Sequence, residues 1–157
     1  MRTALFVAIV SLGLGGLAHA QDAPPPPCGP AGDLSDDLST NVDPGSRCFE
    51  IRMYTANTDR DGQGDYEKAI DELHQRFREE EVAIFEKHGA EIIAVWQRLD
   101  DPNTLVWMLA YKDRAHREQV WEGFRTDPAW EALRTKYPVP VSAEVYMMSA
   151  TDYSALK

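Results

Sequence analysis

The stretch FREEEVAIFEKHGAEIIAVWQRLDDPNTLVWMLAY, Phe77 to Tyr111, decides the fold. Ile84 and Phe85 close a helical apolar pattern, and Lys87 and His88 fall in its last turn, where a cation meets the negative end of the helix dipole. Gly89 follows, the residue that most readily takes the left-handed stop conformation. The next run, AEIIAVWQRL, is rich in β-branched and aromatic residues, as a strand requires. Asp100-Asp101-Pro102-Asn103 is a turn cluster, and TLVWMLAY is a second strand of similar length. Helix, stop, strand, turn and strand thus stand in one segment, and the strands read as an antiparallel hairpin.

Working outward, CFEIRMYT (48–55) alternates Phe49, Ile51 and Met53 against Glu50, Arg52 and Tyr54, the pattern of a half-buried strand. Ile70, Leu73, Phe77 and Ile84 keep helical spacing, with Glu81 interrupting the stripe and Val82 and Phe85 about one position off it. A bend near Glu79 to Ala83 would reconcile the two registers. Asp65 is placed to cap this helix. Asp113 caps a second one carrying Val120, Trp121 and Phe124, and Asp127-Pro128 restarts it with an N-cap carboxylate and a proline at the first helical position. SAEVYMMS (142–149) is the fourth strand. The order is β-α-β-β-α-β, an α+β, ferredoxin-like arrangement with a four-stranded antiparallel sheet.

Both hairpin strands carry apolar groups on both faces. Ile92, Ala94 and Trp96 are expected to oppose Ile93 and Val95, and Leu105, Trp107 and Leu109 to oppose Val106, Met108 and Ala110. Helices cover one face of such a sheet, so the other needs a cover of its own. A second copy of the chain, sheet against sheet, supplies it, and a homodimer is expected.

The chain has 157 residues, enough for one modest domain. Residues 1–20 read as a cleaved signal peptide: Arg2, the apolar run Leu5 to Leu17, and the small-x-small site Ala18-His19-Ala20. This implies a secreted or periplasmic protein with no membrane attachment after cleavage. Residues 21–47 form a proline-rich leader, disordered by composition, and residues 48–157 the folded domain. The formal charge of −10, about −11 without Arg2, disfavours nucleic acid and anionic membranes. Two cysteines in an exported chain, Cys28 and Cys48, suggest a disulfide clipping the leader to the first strand.

FEIRMYT, FREEEVAIFEKHGAEIIAVW, DPNTLVWMLAYKDRAHREQVWEGFRTDPAWEALR and the terminal TDYSAL together resemble the NIPSNAP family, within the dimeric α/β-barrel superfamily. The resemblance covers most of residues 49–156. It implies two ferredoxin-like sheets closing into a barrel across a dimer. It implies no settled activity, because related barrels include cofactor-free monooxygenases, haem enzymes and simple ligand binders.

Candidate chemistry is spread over three groups. Asn57, Asp59, Asp61 and Asp65 fall at the first, third, fifth and ninth ligand positions of a calcium loop, with Gly62 at the turn. Lys68 stands where the bidentate glutamate belongs, so the loop reads either as a calcium site or as an acidic surface turn; no other cofactor is expected. His88 is either a helix-end cation or, at the mouth of a pocket, a general base or a haem or metal ligand. Glu81, on the apolar stripe, would act as a base if desolvation raised its pKa. Arg52, Tyr54, His88, Trp96 and Trp107 are the candidate lining of a pocket for a small apolar molecule. Three readings follow: a homodimeric binder of such a molecule, a monooxygenase-like or isomerase-like enzyme using His88, Tyr54 or Glu81, or a dimerisation module without ligand.

Overall fold

The structure, a computed structural model, describes residues 41–43 and 45–157. The signal segment, the leader up to residue 40 and Cys28, hence the Cys28–Cys48 bond, lie outside the described residues. Strand β1 is Cys48–Ala56. A short 3-10 turn, Thr58–Arg60, leads to helix α1, Ala69–Arg76. A π-helical turn, Phe77–Glu81, joins α1 to α2, Val82–Lys87. Strands β2, Glu91–Gln97, and β3, Thr104–Tyr111, form the hairpin. Helices α3, Arg114–Thr126, and α4, Pro128–Lys136, precede β4, Val141–Ser149. The sheet order is β2-β3-β1-β4 with every pairing antiparallel, which is the ferredoxin-like topology. No helix among the described residues is long and apolar enough to cross a membrane.

The local signals behave as their chemistry dictates. Gly89 takes φ +99°, ending α2. Asp113 accepts from the His116 amide at 2.7 Å, and Asp127 from the Ala129 amide at 2.9 Å with Pro128 at the helix start. The α1 cap differs from the sequence reading. Asp61, rather than Asp65, accepts from the Ala69 amide at 2.8 Å, because the loop folds back through Gly62 and Gly64 at positive φ.

Two one-residue insertions correct the sequence registers. The expected bend in the first helix is a π turn, whose wider ring shifts all later side chains and brings Val82 and Phe85 into line. In β2 a bulge between Ile92 and Ala94 breaks the alternation. Ile92 and Val95 therefore pair with Leu109 and Trp107 on the helix side, while Ala94 and Trp96 pair with Met108 and Val106 on the other.

The core lies between the sheet and the helices. Leu105, Trp107 and Leu109 of β3 are fully buried there against Leu73, Phe85 and Val120. The opposite face carries Ile51, Met53, Val106 and Met108, all part-buried, with Trp96 and Tyr146 exposed. The end of the leader docks at the start of β1. Val42 bridges to Thr151, and buried Ser46 accepts from the Ala150 amide at 2.7 Å.

Candidate functional site

In β1 the alternation works opposite to its appearance. The polar row Glu50, Arg52 and Tyr54 faces the helices, and the apolar row Phe49, Ile51 and Met53 faces away. Glu50, with no exposed surface, accepts five hydrogen bonds: two from Arg117, and one each from Arg52, Tyr111 and Trp121. Burial pushes the Glu50 carboxyl up, but the Arg117 hydrogen bonds and the charges of Arg52 and Arg117 outweigh it, so it sits below the usual range. Burial and the charge of Glu50 push the Tyr111 hydroxyl well up. Arg52 stacks 4.3 Å over the Trp121 ring and donates from Nε to the Tyr54 hydroxyl at 2.9 Å. Tyr54 lies edge-on to Trp107 and Phe77, at 5.5 and 6.2 Å between ring centres. Its burial, opposed by Arg52 and assisted by Glu81, pushes the phenol up to about 12.

Glu81 is turned inward by the π turn and is 2% exposed. A π-helix bonds residues five apart, and that spacing lets Arg76 Nε donate to Glu81 Oε2 at 2.7 Å. Arg76 also donates to the Val139 carbonyl at 3.2 Å and stacks on Trp130. Burial raises the Glu81 carboxyl, opposed by the charge and hydrogen bond of Arg76 and the charge of Arg52. Glu81 is thus a desolvated carboxylate near Tyr54 and Arg52, though its hydrogen bond goes to Arg76.

His88 lies apart from this cluster. Its Nε2 donates to Asp127 Oδ2 at 2.8 Å, and Lys87 Nζ donates to the same oxygen at 2.7 Å. The three side chains clip the end of α2 to the start of α4, and the hydrogen bonds from Lys87 and Ala129 and then His88 hold the Asp127 carboxyl far below the usual range. A Cβ on Gly123 of α3 would stand 2.4 Å from His88 Nδ1. Nε2 is committed to Asp127, and the Nδ1 edge of the ring packs against the Gly123 backbone, an arrangement that ties the ring to the helix ends. Gly123→Ala should therefore destabilise the protein by about 1–3 kcal/mol through overpacking, despite alanine's helix propensity. In a His88→Ala background the same change should become stabilising, by roughly 0.8–1 kcal/mol. Urea unfolding of the four-member cycle reads both signs; a destabilising Gly123→Ala in both backgrounds would rule out the clip.

The other sequence candidates divide by face. Trp107 joins Tyr54 and Arg52 on the helix side, and its buried Nε1 has no hydrogen-bond partner. Trp96 stands on the opposite face. Asn57 accepts from the Asp59 amide and Asp61 from Ala69, so two of the four loop residues serve as caps. Among the described residues no group of three or more His, Cys, Asp or Glu converges on a metal position, and Asn57, Asp59, Asp61 and Asp65 do not form a cage. Cys48 is fully buried at the start of β1. Sequence reasoning missed Glu50, Arg76, Arg117 and Asp127 as site members. The signal for Glu50 was present in the apolar residues on the other face of its strand, which left the polar row free to point inward.

A family model described as NIPSNAP matches residues 49–154. Among solved structures, a nipsnap family protein of unknown function from Agrobacterium tumefaciens strain C58 aligns with a TM-score of 0.61 and 20% identity, over 74% of this chain and 99% of that one. An uncharacterized NIPSNAP domain protein from Burkholderia xenovorans aligns with a TM-score of 0.55 and 20% identity, over 68% of this chain and 97% of that one. At these identities the likeness shows the fold. No curated protein matches the chain.

Proposed function

Because the chain belongs to the NIPSNAP family, we propose that it works as an exported homodimer whose two open sheet faces oppose one another and hold a small, largely apolar molecule. The observation that carries this is the uncovered face itself. Ile51, Met53, Val106 and Met108 form a continuous apolar patch there, edged by Trp96 and Tyr146, at 46% and 52% exposure. Monomeric proteins rarely leave such a patch to water.

The face also suggests the occupant. Met53, Met108 and Met148 are flexible thioethers that adapt to irregular apolar shapes. At one end the face turns to hydroxyls, Thr55, Thr104 and Ser142, and Thr55 and Ser142 line a groove of about 470 Å³ together with Asn57 and Asn103. The helix-side core, by contrast, is filled by edge-to-face aromatic rings and a Glu50 network whose donors are already used. Export, the leader and the Cys28–Cys48 bond belong to the same proposal, and the bond would tether the leader beside the start of β1.

Native mass spectrometry of the purified mature protein tests it. A dimer carrying a small-molecule adduct is expected, and intact mass before and after reduction reads the disulfide. Met108→Asp, which puts a carboxylate in the middle of the open face, should give a monomer without adduct. A wild-type monomer, or a Met108→Asp dimer, would sink the sheet-to-sheet assembly; a dimer without adduct would leave a dimerisation module.

A further inference from the structure

On the helix side of the sheet a cleft of about 240 Å³ lies against edge strand β2, lined by His74, Phe77, Arg78, Val82 and Val95. Three separate irregularities border it. Phe77 and Arg78 open the π turn, and Val82 follows it directly. Such turns give up regular helix bonding and concentrate at functional sites. Val95 follows the β2 bulge. Simple alternation from Ile92 would aim Val95 at the open face, and the extra residue turns it into the cleft instead. Trp107 adjoins both apolar walls, as the register partner of Val95 and at 5.1 Å from the Phe77 ring, and it carries the buried indole N–H without an acceptor. An orphaned buried donor in a native fold often marks a missing ligand or water.

The wall chemistry is mixed. Phe77, Val82 and Val95 are apolar, and Val95 is 37% exposed. Arg78 is exposed, and its guanidinium makes no ion pair or hydrogen bond with the described residues, although the chain carries a net charge of −10. His74 is already committed through Nε2 to the Gln97 side-chain oxygen at 2.7 Å. One free guanidinium offers one planar fork, which matches a carboxylate bidentately. A dianionic phosphate would require a second free cation. The volume lies below the ~300–1,000 Å³ of pockets for drug-sized ligands, so the apolar part is a single ring or a short chain.

We infer that this cleft is a binding site for a small monocarboxylate with a compact apolar body, its carboxylate held by Arg78 and its body laid on Phe77, Val82 and Val95. The site lies on the opposite side of the sheet from the proposed dimer cavity and does not rest on it. Binding there places the ligand against the π turn that buries Glu81, and so against the Tyr54–Arg52 layer behind Phe77.

The test titrates the full mature protein with hexanoate and benzoate, and with hexanol and benzyl alcohol as uncharged counterparts, by saturation-transfer NMR and calorimetry. Both carboxylates should saturate. Arg78→Gln should weaken them about tenfold, the loss of one charge-assisted contact, and leave the alcohols unchanged. Val95→Glu, which sets a like charge on the cleft wall, should abolish carboxylate binding. Both positions are exposed, so unfolding midpoints should stay at the wild-type value. Absence of saturation by either carboxylate overturns the inference. So does carboxylate affinity that is unchanged in Arg78→Gln, which would move the binding to another surface such as the open sheet face.

Discussion

Replacing Glu50 with leucine should cost about 3–5 kcal/mol of stability, read as a lower urea midpoint at unchanged slope. The carboxylate is the common acceptor for Arg52, Arg117, Tyr111 and Trp121, and it joins β1, β3 and α3 at one point. Leucine fills the volume but leaves two guanidinium groups and the Tyr111 phenol facing an apolar side chain, while the Trp121 indole N–H keeps the Tyr111 oxygen at 3.0 Å. The Arg117 side chain is 21% exposed and can swing toward water, so the lower end of that range is expected. Arg52 is less free, since its side chain is 13% exposed and stacked on Trp121. A loss under about 1 kcal/mol would show that the network relaxes into solvent and is not a structural hub.

The same carboxylate sets a pH dependence. Its folded pKa is depressed below the ordinary carboxyl value of 4.5, so the unfolded chain binds the proton more readily. The stability it contributes is present above about pH 4.5 and is lost as the pH falls through the folded value. Glu50→Gln should remove that part of the acid sensitivity while keeping one acceptor oxygen in place.

Arg76→Met and Glu81→Met should each destabilise by about 3–5 kcal/mol, and the double change should recover most of the loss. Each single change leaves one buried charge without its partner, at 5% exposure for Arg76 and 2% for Glu81. The double change replaces the pair with apolar side chains that suit a gap between α1, the π turn and Trp130. Here the pH sign is reversed. Burial raises the folded pKa of Glu81, so its contribution is fully present in acid and declines as pH rises from 4.5 through the folded value. Arg76 opposes that rise. Arg76→Met should therefore be hurt most near neutral pH and least in acid. Strictly additive single changes, or a penalty independent of pH, would show that the two side chains are not coupled.

The two networks also show how far a sequence reading reaches. Gly89, Asp113 and Asp127-Pro128 were legible because each acts within a few residues of its own position, through a backbone conformation or a cap. The two-faced strands were legible because β3 alternates without interruption. Glu81 was legible as an anomaly on its stripe, but its partner Arg76 was not, since a pair five residues apart meets only across a π turn. His88 was legible as a helix end; the Asp127 oxygen and the Gly123 backbone that fix it arrive from other helices. Arg78 gave no signal at all, because its cleft is made by an inserted residue on each side.

The sequence by itself determined the order of elements, the Gly89 stop, the Asp113 and Asp127 helix starts, and that the sheet carries apolar groups on both faces. These are matters of local conformation and periodicity, which neighbouring residues settle. The tertiary structure alone decided which row of β1 lies under the helices, and so buried Glu50 and Tyr54 and turned Arg52 inward while leaving Ile51 and Met53 on the open face. It also decided the π turn and the β2 bulge. A pattern fixes the spacing of side chains but not which face receives the helices. A one-residue insertion keeps the composition while rotating everything after it, so only packing against α3, α4 and β3 selects the register.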